Sequence, residues 1–286
     1  MKVGLILSTL PYGRVPQVAR RADALGFDSI WVGEHVVLPL RETETHPYGR
    51  PGVVQPHNQT LSSFVELAYL AGLTKRIRVA TGVILPPIRN LFSTAREIVT
   101  LDVYSGGRVD VGVGVGWHSG EFALMGAEFK TRGAYTDEFI DAFSVLCTEH
   151  SPSFQGRHIN FEPVGFEPKP VQKPRPPILV GGDTLPAMRR AARRGDGWYG
   201  HAATPEQGAE RIATVARLLA ENDRDPTGFE QVLQVWDPPG PEALAAYAAA
   251  GAHRVVTAPF QRDDPDPVRT LEDYASLIGL TEMASQ

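Results

Sequence analysis

Glu34 and His35 are the densest polar pair at the end of any apolar run in this chain. A histidine with a carboxylate beside it exchanges protons near neutral pH, so the pair could work as an acid and base. It could equally be a loop histidine without chemistry. A second cluster is Gly112-Val113-Gly114-Val115-Gly116-Trp117-His118. It lacks the spacing of a dinucleotide fingerprint, because Trp117 stands where the third glycine belongs and the run does not open a first strand–helix unit. Two readings remain for its glycines. Either a neighbouring strand packs close, or the bare backbone lets a flat ring approach, with Trp117 as a wall. A third cluster, Gly181-Gly182-Asp183-Thr184, precedes a helical stretch whose Arg189, Arg190, Arg193 and Arg194 could reach an anion. Free N–H groups at such a helix start suit a phosphate, although a plain strand–helix turn has the same composition. Trp117 and His118, with His46, Tyr48 and His57, outline a partly apolar substrate pocket.

Other chemistries find less support. The histidines are scattered, with no His-Glu-x-x-His, so no metal site is expected. A Ser–His–acid hydrolase would need a G-x-S-x-G elbow, which is absent. Cys147 is the single cysteine, so no internal disulfide can form. A net charge of −5, with both signs spread along the chain, argues against nucleic acid or an anionic membrane as partner. The apolar run Val3 to Leu7 is too short for a signal peptide, and nothing approaches a membrane span. A cytoplasmic protein with a small-molecule substrate is expected.

These residues need elements to hold them. Strands are predicted at Val3–Leu7, Phe27–Val32, Ile77–Val83, Arg108–Val113, Pro177–Val180, Gly197–Tyr199, Val232–Trp236 and His253–Thr257. The first helix opens at Pro16 and ends at Gly26; others fall near 58–73, 93–104, 131–148, 184–194, 205–221, 240–250 and 267–278. Gly26, Gly107, Gly195 and Gly251 end helices ahead of strands. Runs such as Ile77-Arg78-Val79-Ala80-Thr81-Gly82-Val83 read as strands buried on both faces, hence parallel. Eight strand–helix units favour a (β/α)₈ barrel, and 286 residues suit one such domain over 1–286; an open doubly wound sheet has the same local rhythm. Two long segments interrupt it, 36–57 and a Pro-rich insertion at about 149–177, where residues 153–161 could form a hairpin. In a barrel, active sites lie at the C-terminal strand ends. Ser8, Glu34-His35, Gly82-Val83, Gly114 to His118 and Gly181 to Thr184 all stand there.

As an ordered series, these segments resemble the luciferase-like superfamily, whose members use FMN or the deazaflavin F420. The likeness spans essentially the whole chain. It is carried by Lys2-Val3-Gly4-Leu5, Ala24-Leu25-Gly26-Phe27-Asp28-Ser29-Ile30-Trp31-Val32-Gly33-Glu34-His35 and Thr81-Gly82-Val83, then by Ser105-Gly106-Gly107-Arg108-Val109, Gly112 to Trp117 and Glu121-Phe122. It ends in Pro177 to Gly182 and Gly195-Asp196-Gly197-Trp198. Within the superfamily the chain is most similar to actinobacterial oxidoreductases assigned to F420. The resemblance implies catalytic roles for His35 and Glu34 beside the ring, and a non-proline cis peptide at Gly82-Val83 behind it. It also implies close-approach glycines at Gly114 and Gly116, a phosphate site at Gly181, Gly182, Asp183 and Thr184, and a homodimer. Sugar-phosphate-oxidising relatives carry a glutamate where Trp117 stands, which argues against that substrate. Relatives also place a hydroxyl residue soon after the cis bond, where this chain has Ile84, Leu85 and Pro86. The expected activity is hydride transfer between F420 and an organic substrate, with His35 assisting the proton. The rival readings are an FMN-dependent monooxygenase and a barrel that only binds a ligand.

Overall fold

A computed structural model of the chain describes residues 1–40 and 60–282. Eight parallel strands close into a barrel: β1 (Lys2–Ile6), β2 (Ser29–Val32), β3 (Arg78–Thr81), β4 (Val109–Val113), β7 (Ile178–Gly181), β8 (Gly197–His201), β9 (Glu230–Gln234) and β10 (Arg254–Thr257). The barrel is sealed by β1 pairing with both β2 and β10. Two short antiparallel strands, β5 (Phe154–Gln155) and β6 (Asn160–Phe161), form the hairpin expected within the insertion. The open-sheet alternative is therefore excluded.

Helices wrap the strands: α1 (Val15–Leu25), α2 (Ser63–Leu73), α3 (Leu91–Ser105), α4 (Ser119–Leu124), α5 (Arg132–Thr148), α6 (Leu185–Arg194), α7 (Pro205–Ala220), α8 (Pro241–Ala249) and α9 (Pro267–Leu277). Helix α1 buries Val18, Ala22 and Leu25 and stops at Gly26, whose φ of 81° lets its N–H cap the last turn. Gly195 instead ends α6 in extended geometry, so that glycine is not a left-handed cap. Two elements lay outside the sequence reading, the six-residue α4 and a 3-10 turn at Pro86–Ile88. Both are too short for an apolar period to announce them. Strand β3 also ends at Thr81 instead of Val83; the Gly82–Val83 peptide that follows is cis, and Ile84 rejoins the neighbouring strand in a single bridge to Val113. Of the segment 36–57, residues 41–57, with His46, Tyr48 and His57, lie outside the described residues. Among the described residues no helix is long and apolar enough to cross a membrane.

Apolar side chains fill the layer between strands and helices. A smaller cluster, Trp31, Ala80, Leu179, Tyr199, Val232 and Val256, fills the barrel lumen. Charge closes the lumen at the strands' N-terminal ends. Asp110 on β4 accepts from Arg78 Nε at 3.0 Å and from Arg254 Nη1 at 2.7 Å. Arg254 Nε stands 2.7 Å from Asp28 Oδ2, and Arg254 is 2% exposed. Burial pushes the Asp110 carboxyl up, but the two guanidinium groups outweigh it and hold it below the ordinary 3.8.

Replacing Asp110 with Ala would leave two cations facing each other in the floor. The expected loss is about 3–5 kcal/mol of unfolding free energy, read in urea melts at neutral pH. Because the folded carboxyl is depressed, its contribution is present above 3.8 and lost as pH falls through the lowered value. The difference between wild type and variant should therefore shrink in acid. Burial also pushes the Cys147 thiol up to about 12. Cys147 should resist alkylation in the native protein at pH 8 and react only on unfolding; rapid labelling of the folded chain would contradict its burial.

Candidate active site

The end of β2 is clamped to the end of β3. Glu34 stands one residue beyond β2, after Gly33, and its carboxylate accepts from Arg89 Nε at 2.8 Å and from the Leu85 N–H at 2.9 Å. Ser63 Oγ donates to it at 3.4 Å, and Arg89 Nη2 completes the pair. Glu34 is buried, so this ion pair is shielded from solvent. The carboxylate adjacent to His35 in sequence is thus engaged by other partners, and its place at the site is as a brace. Arg89 lies 55 positions away on a turn, and no spacing rule would have singled it out.

The carboxylate that meets His35 comes from α4. Glu121 Oε2 lies 2.9 Å from His35 Nδ1, while Glu121 Oε1 accepts from the Val36 N–H at 2.7 Å. Burial pushes the Glu121 carboxyl up; the bond and charge of His35 and the two backbone N–H groups more than reverse this and hold it below the usual range. In the sequence Glu121 stands out only as part of the Glu121-Phe122 motif. The available signal was His118 three positions earlier, a cap-and-first-turn spacing. His118 is 2% exposed and caps α4 through Nδ1, which accepts from the Glu121 N–H. It therefore does not line an open pocket as expected, although its buried Nε2 lacks a hydrogen-bond partner. Trp117 does join His35, edge to face at 6.2 Å.

The glycines turn out to seat protein. A methyl group on Gly114 would stand 2.5 Å from Val83 Cγ2, and one on Gly181 2.8 Å from Val83 Cγ1. One on Gly116 would meet the Phe122 ring at 2.6 Å. Gly112 faces the Thr81 carbonyl in the same manner. On the Cβ side of each glycine the close-packing reading of this run holds. Gly112, Gly114 and Gly181 form a socket that Val83 enters from the cis turn. Beneath Gly82, Trp31 and Tyr199 stack at 4.6 Å with a 7° interplanar angle, and Tyr199 Oη donates to Gln234 at 2.6 Å.

The corner at Gly181–Thr184 is thinner as an anion site than its glycines imply. Gly182 has φ 118°, and its N–H bonds to the Tyr199 carbonyl. Asp183 accepts from the His201 N–H at 2.9 Å and pairs with Arg211 at 2.9 Å, so its carboxylate is turned to β8 and α7. Thr184 caps the Ala187 N–H, Pro186 has none, and Met188 N bonds back to Thr184. That leaves the N–H groups of Asp183, Thr184 and Leu185, beside an Arg211 already paired with Asp183. Arg190 and Arg194 bind Asp137 and Asp141 on α5, and Arg193 binds Asn222. They stitch helices together and do not reach this corner. Ser8 lines a cavity of about 30 Å³ between the ends of β1 and β2, together with Tyr12, Val32 and Gly33.

A closed parallel barrel with its polar groups gathered at the C-terminal rim accords with the match of residues 2–263 to the luciferase-like monooxygenase family. The chain belongs to that family. It is 32% identical over 284 residues to an uncharacterised protein of Mycobacterium tuberculosis, covering 97% of this chain and 99% of the other. It is 31% identical over 205 residues to the F420-dependent glucose-6-phosphate dehydrogenase of Amycolatopsis mediterranei, covering 69% of this chain and 56% of that enzyme. Over 145 residues it is 35% identical to the FMNH2-dependent dimethylsulfone monooxygenase of Pseudomonas putida, covering 50% and 39%. The structure of an F420-dependent secondary alcohol dehydrogenase superposes with a TM-score of 0.78 at 19% identity, covering 97% and 98% of the two chains, a likeness of fold. Luciferase-like proteins of this kind are oxidoreductases and monooxygenases, with F420 and FMN both represented among the relatives.

The Val83 socket gives a direct test of the rim. Gly114→Ala should displace Val83 and cost about 1–3 kcal/mol by overpacking. The double variant Gly114→Ala with Val83→Ala should recover most of that loss in thermal melts. Equal melting of Gly114→Ala and wild type would rule out the socket.

Proposed function

We propose that the protein is an F420-dependent oxidoreductase that moves a hydride to or from a small organic substrate, with His35 handling the accompanying proton. The observation that carries the reading is the His35–Glu121 dyad at the barrel mouth, beside Glu34, whose carboxylate holds the Leu85 N–H just after the Gly82–Val83 cis peptide. The aligned length favours F420 as well, since the likeness to the F420-dependent relative extends over 69% of the chain.

The rim offers unpaired polar atoms suited to a flat heterocycle with polar edges. Thr9 Oγ1, Thr257 Oγ1 and His118 Nε2 are buried at the C-terminal strand ends without a hydrogen-bond partner. Buried polar atoms in that state are costly unless a ligand completes them. The site fits such a ring. Ser8, Thr9 and Thr257 would hold its polar edges, Gly82 and Val83 would back it, and the N–H groups of Asp183, Thr184 and Leu185, beside Arg211, would meet an anionic tail. When bound, the deazaflavin supplies a two-electron hydride carrier. The protein's part is to orient substrate, to exclude water with Trp117, and to take up or deliver a proton at the ring nitrogen of His35 that Glu121 does not engage.

A second reading rests on a separate observation, the higher identity, 35%, to the FMNH2-dependent relative. Reduced FMN would then activate oxygen at the same rim.

Titration of the purified protein with F420 and with FMN, followed by fluorescence quenching, should show at least about tenfold tighter binding of F420, a difference near 1.4 kcal/mol. Preference for FMN, with oxygen uptake in the presence of reduced FMN, would replace the first reading by the second. Binding of neither would leave a ligand-binding barrel. With any substrate found in a panel of small carbonyl compounds and alcohols, His35→Ala should bind F420 normally and turn over about 10²–10⁴-fold more slowly. Unchanged turnover would remove His35 from the mechanism.

A further inference from the structure

Glu121 receives three hydrogen-bonding groups, and their division between its two oxygens is informative. Oε1 faces the N–H groups of Val36, at 2.7 Å, and Val37, at 3.5 Å. Oε2 faces His35 Nδ1 at 2.9 Å. The residue is 1% exposed, and α4, which carries it, is started by the His118 cap. Glu34, the other carboxylate nearby, is held by Arg89, Leu85 N and Ser63 and leaves His35 to Glu121.

We infer that Glu121 is a positioning residue for proton transfer: it fixes neutral His35 as the Nδ1–H tautomer and so makes Nε2 the reacting nitrogen. The inference rests on the proposed role of His35. An ionised carboxylate only accepts, so Nδ1 must be the donor and the lone pair of the neutral ring falls on Nε2. The ionised form of Glu121 is favoured by the two backbone N–H groups facing Oε1, and the carboxyl is held below the usual range once its bonds outweigh burial. When Nε2 takes a proton, the imidazolium keeps its bond to Glu121 and gains a buried counter-charge. The proton arrives on Nε2 and leaves from Nε2, while the Nδ1 proton stays in place.

Glu121→Gln separates this role from a structural one. In the variant the amide oxygen must stay where Oε1 is, because Val36 and Val37 present donors there. The amide NH₂ then falls at the Oε2 position and donates to Nδ1, which forces the ring proton onto Nε2. All three contacts survive, yet the tautomer inverts. Nitrogen-15 spectra of histidine-labelled protein, without cofactor and at a pH where the ring is neutral, should report Nδ1–H in the wild type and Nε2–H in Glu121→Gln. Thermal stability and F420 affinity should be close to wild type, and turnover of a substrate from the panel should fall by about 10²–10⁴-fold, the share of acid–base catalysis. Nε2–H in the wild type, or the same tautomer in both proteins, overturns the inference. If the tautomers invert as stated but His35→Ala turns over at the wild-type rate, the functional reading of His35 falls and the tautomer assignment stands. The two failures are thereby distinct.

Discussion

Closing eight parallel strands into a ring leaves two ends where backbone and side-chain polar groups must find partners, and at the floor a buried cluster of opposite charges meets this constraint. Arg254 and Asp110, both almost wholly buried, pair across the lumen, with Arg78 bound to Asp110 and Asp28 within ion-pair distance of Arg254. Taking these charges out of water is costly, so the arrangement is stable only while every partner stays in place. The four side chains come from β3, β4 and β10 and from the turn before β2. One set of ion pairs thus ties four strand starts together at this end of the barrel.

At the rim the same constraint is met differently. Carboxylates again organise the local structure, but each holds an element of the site. Glu34 locks the end of β2 to Arg89 and to the backbone at Leu85, which follows the cis turn. Glu121 locks α4 to the segment leaving β2 and aligns His35. Between them sits the Val83 socket, in which three glycines from β4 and β7 admit one side chain from the β3 turn. Thr9 Oγ1, Thr257 Oγ1 and His118 Nε2 are buried there without a hydrogen-bond partner. Buried polar atoms in that state at the strand ends where barrel enzymes bind are what a ligand would complete.

The family to which the chain belongs includes relatives named as F420-dependent and as FMNH2-dependent enzymes. In this protein the Gly82–Val83 turn lies over the Trp31–Tyr199 stack. His35 and Trp117 meet edge to face. Trp117 occupies the place directly after Gly116, and the carboxylate of that loop arrives four residues later, on the first turn of a short helix.

The linear pattern determined the fold class and the position of the site. Alternating apolar runs and capped amphipathic stretches specify eight strand–helix units because local propensity and burial agree at each of them, and the strand ends follow from that. Ser8, Glu34, His35, Gly82, Val83 and Gly181 to Thr184 were accordingly found at the rim from the chain alone. Partnership was decided only by tertiary structure. Glu34 and His35 are neighbours by one peptide bond, yet successive side chains leaving a strand point in opposite directions, so one turns to Arg89 and the other to Glu121. The glycines of β4 look alike in sequence whether they admit a ring or a side chain, since an absent Cβ carries no record of what fills its place. That record is held by Val83, some thirty residues earlier, and only the closed barrel brings the two together.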